Sequence, residues 1–151
     1  MNYPKDLEKL INYYQKLPGI SEKSAERLAI ATLEFSEDEI QEFSDTIKSA
    51  KKNLTRCSIC GHLTDSEICN ICSDENRNKN IICVIEDYKS IFSFEKTGTF
   101  NGTYHVLNGL ISPMDDIGPE DINLSSLISR VEKLKNAELI LALKPTVEGE
   151  A

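Results

Sequence analysis

The sequence predicts a multi-part α+β protein with a helical N-terminal part, a central four-cysteine knuckle and a C-terminal α/β unit. Three observations carry that reading. Up to about residue 55, apolar side chains recur at helical spacing. Cys57, Cys60, Cys69 and Cys72 then form two Cys-x-x-Cys pairs with eight residues between them. From Ile81 onward, short apolar runs alternate with helical patterns, as in a parallel sheet with crossover helices. The parts divide at 1–55, 56–76 and 77–151.

In the first part, Leu7, Leu10, Ile11 and Tyr14 fall at i, i+3, i+4 and i+7, one face of a helix spanning Tyr3 to Lys16. Pro18-Gly19 breaks it. A second helix runs from Glu22 to Leu33, with Ala25, Leu28 and Ala29 expected inward and Lys23 and Arg27 outward. The link LPGIS is short enough to make the pair a helical hairpin. Ser36 with Glu39 forms a capping box opening a third helix, whose Ile40, Phe43, Ile47, Ala50 and Leu54 share a face. Lys48, Lys51, Lys52 and Arg56 close it without an intervening acid. Those cations suit the negative end of the helix dipole and equally suit a phosphate, so both readings stand.

Two residues between cysteines let one tight turn aim both thiolates at one ion. Two such turns make a tetrahedral site, and Zn²⁺ is its usual occupant. The N-terminus has no signal-peptide core and no apolar run reaches the length of a membrane span. That leads us to expect a cytoplasmic protein, where such pairs bind metal more often than they form disulfides. Four cysteines fill the coordination shell, so the expected zinc is structural, one per chain. His62, just after the second cysteine, is expected to be an exposed loop histidine, and Cys83 a small core residue.

Formal net charge is −8, distributed as −1 over residues 1–60 and −7 over 61–151. Nucleic-acid binding would therefore need a local basic patch. The hairpin offers one. Gly19 permits a tight turn, the amides opening the second helix make an anion site with Ser21 at its cap, and Lys23 and Arg27 flank it four residues apart. The pattern resembles the helix-hairpin-helix DNA-binding motif, with Ser21 where a second glycine is usual.

In the third part the stretch SDENRNKN reads as a polar linker. Strands are expected at Ile81–Glu86, Tyr104–Leu107 and Glu138–Leu143, the last read as buried, with helices at Tyr88–Lys96 and Leu124–Leu134. Glu86 ends one strand and PTVEGEA, with Glu148 and Glu150, follows another. Acids at neighbouring strand ends assemble Mg²⁺ sites in phosphoryl-transfer enzymes, and they are also commonly just solvated.

In this order, LPGISEKSAERLA, the two Cys-x-x-Cys pairs, IICVIE, GTYHVLNGLISPMDDIGPEDI and PTVEGEA resemble the RecR family of bacterial recombination mediators over nearly the whole chain. The resemblance implies a Toprim domain for the α/β part. Where catalytic Toprim proteins carry Asp-x-Asp, this chain has Lys144 and Thr146, so the implied protein is not an enzyme. It is a DNA-binding clamp that acts with RecO and RecF to load the recombinase at single-stranded gaps, on gapped duplex or single-/double-strand junctions. Gly19, Ser21, Lys23 and Arg27 would meet DNA, while Glu86, Glu148 and Glu150 would meet RecO. A tetrameric ring and a nucleoid-associated location follow from the same likeness. Family members continue past the point matching Ala151, which makes the Toprim sheet here incomplete, with an exposed edge expected. The alternatives are a Mg²⁺-dependent nuclease or topoisomerase-like enzyme using the three glutamates, and a zinc-stabilised interaction module without DNA contact.

Overall fold

The structure is a computed structural model that describes residues 3–151. The described residues divide into two compact units, one up to residue 52 and the other 53–151.

The helical unit contains α1 (Lys5–Gln15), α2 (Glu22–Leu33) and α3, which begins at Glu37 and ends at Asn53. Helices α1 and α2 form the expected hairpin around buried Ile11, Ala25 and Ala29. Alanines four residues apart leave a shallow row on α2 that lets the helices approach closely. Leu28, expected inward, lies at the flank of that row and stays exposed. The Tyr14 hydroxyl and Thr32 Oγ1 hydrogen-bond across the seam. The capping box opening α3 forms as read: the Ser36 amide donates to Glu39 Oε2 (2.8 Å) and the Glu39 amide to Ser36 Oγ (3.2 Å). No residue of α3 is buried, and Ile47 on its apolar face is 56% exposed.

The second unit begins with the knuckle. Here β1 (Thr55–Arg56) pairs antiparallel with β2 (Leu63–Thr64), and the single turn α4 (Asn70–Ser73) follows. A parallel sheet of order β4-β3-β5 comes next, built from β3 (Ile81–Ile85), β4 (Thr103–Val106) and β5 (Glu138–Ala142). Helix α5 (Lys89–Thr97) connects β3 to β4. Between β4 and β5 the chain makes 3₁₀ turns at Pro113–Asp115 and Pro119–Asp121 and then α6 (Leu124–Glu132). A last turn, α7 (Val147–Glu150), ends the unit.

Side chains alternate across a strand, and β3 and β4 accordingly feed two cores. Cys83, Ile85, Tyr104 and Val106 pack with Ile91 of α5 and with Cys57, Cys60, Cys69 and Ile71 of the knuckle. Ile82, Val84 and Leu107 pack with Leu127 of α6 on the opposite face. The knuckle and the sheet therefore share one core.

Two further expectations need correction. The third strand is not buried: β5 lies at the sheet edge and Leu141 is 67% exposed, because nothing pairs with its outer side among the described residues. The stretch read as a polar linker is anchored. Lys79 Nζ donates to the carbonyls of Cys72 (2.7 Å) and Asp74, and Arg77 is 16% exposed against Glu95.

The other sheet edge is closed. The Val106 amide donates to Cys60 O (2.8 Å), the Arg130 guanidinium to Tyr104 O, and Asn123 Nδ2 to Val106 O (3.2 Å). Those are outward-facing groups of β4 that would otherwise invite another strand.

Candidate functional site

The cysteine site is the most fully built. Turns at Cys57–Cys60 and at the start of α4 bring the ligand atoms of Cys57, Cys60, Cys69 and Cys72 within 4.8 Å of one another. The Cys60 and Cys69 sulfurs lie 3.6 Å apart. Tetrahedral coordination at a Zn–S bond of about 2.3 Å requires a separation of about 3.8 Å, so the cluster fits Zn²⁺. Amides of His62, Cys69 and Cys72 point at the sulfurs of Cys60, Cys57 and Cys69, at 3.4, 3.3 and 3.5 Å. They orient the thiolates and offset part of their charge. The Cys60–Cys69 hydrogen bond pulls the Cys69 thiol far below its ordinary pKa and drives Cys60 far above it. Four thiolates cannot coexist at this distance without a cation, and a divalent ion removes the conflict.

His62 is not exposed as expected. It is 6% exposed, and its ring meets Phe92 edge-on with centroids 5.0 Å apart. Packing of α5 beneath the knuckle covers it, which local spacing could not reveal. Burial pushes its pKa below the ordinary imidazole value.

The hairpin residues sit together at the start of α2. Gly19 has φ +78°, the left-handed conformation a glycine adopts without strain. Ser21 is the N-cap in extended backbone, φ −74°, and its Oγ accepts from the Ser24 amide (3.2 Å). A side chain at this position therefore costs no backbone strain, and the substitution of Ser for Gly is a cap. Lys23 and Arg27 are both exposed, one turn apart, with no carboxylate within 4 Å among the described residues. Lys48, Lys51 and Lys52 are exposed on α3. Arg56 lies over the Tyr88 ring, 3.7 Å from its centroid.

The acidic residues lie at the C-terminal end of the parallel strands. Glu86 follows β3, and its carboxylate is paired with Lys144 Nζ at 3.3 Å, directly after β5. Glu148 and Glu150 belong to α7, which Thr146 caps by accepting from the Gly149 amide (3.2 Å). The turn needs that glycine, since a Cβ at 149 would stand 1.9 Å from the Lys144 carbonyl oxygen. Among the described residues, no three of these carboxylates converge within the distance that the cysteines achieve.

Sequence reasoning missed a network beside the shared core. Arg77 grips both oxygens of Glu95 (Nη1–Oε1 3.0 Å) and the Gly102 carbonyl (3.1 Å), while the Tyr104 hydroxyl donates to Glu95 Oε1 (2.7 Å). It also missed His105, whose surroundings are set by α6.

A hairpin with a glycine turn, a closed four-cysteine knuckle and a parallel α/β unit define a helix-hairpin-helix, zinc-finger and Toprim protein. Family models agree part by part. The model for the RecR helix-hairpin-helix matches residues 7–51, that for the RecR four-cysteine zinc finger domain 54–74, and that for the Toprim domain 80–151. The chain is 50% identical over 151 residues to Recombination protein RecR of Staphylococcus aureus strain MRSA252, covering 100% of this chain and 76% of the relative. It is 49% identical, with the same coverage, to the proteins of that name in strains JH9 and Newman. The chain belongs to the RecR family. No helix among the described residues is long and apolar enough to cross a membrane.

Proposed function

We propose that this protein is a non-enzymatic DNA-binding scaffold of recombinational repair in the bacterial cytoplasm, acting with RecO and RecF to load the recombinase at single-stranded gaps. The observation that carries it is the hairpin: a left-handed turn at Gly19, a capped helix start at Ser21, and Lys23 and Arg27 exposed on α2, with no carboxylate within 4 Å among the described residues. Helix-start amides and two flanking cations suit a DNA phosphate and read no base, in keeping with a clamp that binds by structure. One structural Zn²⁺ on Cys57, Cys60, Cys69 and Cys72 is part of the reading. So is a ring-shaped homo-tetramer, for which the uncovered face of α3 offers apolar area. Glu86, Glu148 and Glu150 serve as the acidic contact for RecO. A Mg²⁺-dependent reaction is disfavoured by Lys144, whose ammonium stands 3.3 Å from the Glu86 carboxylate where a metal would have to sit.

The test is the double variant Lys23→Ala, Arg27→Ala on gapped duplex. Loss of two phosphate contacts is expected to lower the slope of log affinity against log salt by about 2. An unchanged slope would overturn the assignment. Mg²⁺-dependent nicking of plasmid DNA by the wild type would overturn the non-enzymatic part.

A further inference from the structure

Phe92 is the most exposed of the large apolar side chains on α5. Its neighbour Ile91 is completely buried in the core that sheet and knuckle share, while Phe92 is 47% exposed. The ring is nevertheless fixed in place. It meets His62 of the knuckle edge-on, with centroids 5.0 Å apart, and Tyr88 edge-on at 6.3 Å, all within residues 53–151. His62 is tied in turn to the metal site, its amide donating to Cys60 Sγ (3.4 Å). An exposed ring held in one position loses little freedom when something stacks on it.

The charge around the ring is of one sign. Lys89 precedes Phe92 by three positions and Lys96 follows it by four, so both neighbour it on the helix surface, and both are exposed. Arg56 lies over the Tyr88 ring, 3.7 Å from its centroid, and extends the row past Tyr88. Two nearby acids are already engaged: Glu95 is held by Arg77 and the Tyr104 hydroxyl, and Asp87 pairs with Lys89 at 3.7 Å. Arg56 and Lys96 have no carboxylate within 4 Å among the described residues. Acids outnumber bases in this unit, so two uncommitted cations flanking one open ring set this surface apart. The row suits a ligand with flat apolar faces and negative charge at its margins. A protein partner fits less well. A stable protein interface takes about 800 Å² from each side, and the exposed neighbours of Phe92 along α5 are the small polar Ser90 and Ser93.

We infer that Phe92 is a stacking platform for one unpaired base of single-stranded DNA, with Arg56 and Lys96 meeting the phosphates on either side. The choice of DNA rests on the reading above. Tyr88 lies one turn before Phe92 and Lys96 one turn after, so the strand crosses the ring between the two cations. Every base has a flat face, so the platform is tolerant of sequence. In a duplex those faces are covered by neighbouring base pairs, so the platform responds to strandedness. It supplies a contact, separate from the hairpin, for the single-stranded side of a gap.

The full chain loaded with zinc is titrated with a dye-labelled single strand and with a blunt duplex containing the same sequence. Phe92→Leu keeps an apolar side chain and removes the flat ring. It is expected to weaken single-strand binding about tenfold while leaving duplex binding unchanged. Zinc content and thermal melting verify its fold. Phe92→Trp is expected to bind single strands as wild type does. Because the chain has no tryptophan of its own, the fluorescence of this variant reports on the platform alone, and quenching on saturation with the single strand is expected. If Phe92→Leu does not fold, that fluorescence decides. Arg56→Ala with Lys96→Ala should lower the slope of log single-strand affinity against log salt by about 1.4. Undiminished single-strand binding by Phe92→Leu overturns the inference and leaves the patch to a protein partner. Equal loss on both DNA forms, or an unquenched Phe92→Trp protein at saturation, overturns it too. The Lys23→Ala, Arg27→Ala protein separates the two readings. If its duplex salt slope is unchanged while single strands quench Phe92→Trp, the hairpin assignment fails and the platform stands; a lowered slope without quenching is the reverse.

Discussion

Arg77 and Glu95 show how a single long-range pair escapes a sequence reading. They stand 18 positions apart, and Arg77 lies in a run of Asn, Asp, Glu and Lys that reads as linker. Periodicity detects faces of elements and is blind to one charge that crosses to another element. Burial works to raise the Glu95 pKa, but hydrogen bonds from Arg77 and the Tyr104 hydroxyl outweigh it and hold the carboxyl below its ordinary range. A carboxyl whose folded pKa is depressed stabilises the fold above its unfolded pKa, and that contribution is lost as pH falls through the folded value. Glu95→Gln is thus expected to cost about 2 kcal/mol at neutral pH and to flatten the loss of stability between pH 5 and 3, a window set by the ordinary carboxylate pKa of about 4. Urea melts at those pH values decide it; parallel pH profiles for both proteins would show that the pair contributes nothing. His62 and His105 escaped for a related reason. Each is buried by a helix that packs from elsewhere in the chain, α5 over one and α6 against the other.

At the scale of elements, what depended on spacing was legible. The capping box at Ser36, the hairpin turn at Gly19, the central strand at Ile81 and the four cysteine ligands all follow from short-range pattern. What depended on neighbours was not. The run ELILA reads as a buried strand because its residues are apolar, yet burial requires a strand beyond it, and β5 has none among the described residues. The knuckle was legible as a metal site but not as a wall of the sheet's core, since Cys57, Cys60 and Cys69 pack on Cys83, Tyr104 and Val106. Chelation therefore removes more than a local clip. Stripping zinc from the protein is expected to lower hydrogen-exchange protection in β3 and β4, while α1 and α2, which have their own core at Ile11, Ala25 and Ala29, keep theirs. Protection retained in β3 and β4 after zinc loss would show that the knuckle packs passively.

For the molecule as a whole, one surface without a partner in its own unit is apolar. Leu10, Tyr13, Tyr14, Leu17, Phe43 and Ile47 line an open groove of about 470 Å³ in the helical unit. A face of that kind on a charged chain marks an interaction surface. Ile47→Asp should lower the mass of the proposed oligomer in sedimentation or light scattering without reducing the helicity of the unit, because Ile47 has no buried role within it. An oligomer of unchanged mass would move the subunit contact elsewhere. The sheet poses the opposite problem, since among the described residues no strand pairs with the outer side of β5, where Leu139, Ile140 and Leu141 are exposed. Open ladders on both sides would make the unit a monomer for endless polymerisation. Because Cys60, Asn123 and Arg130 occupy the outward groups of β4, the unit has a valence of one. A strand docking beside β5 would therefore meet no second open edge on β4, where one carbonyl of the knuckle and two side chains of the α6 region already stand.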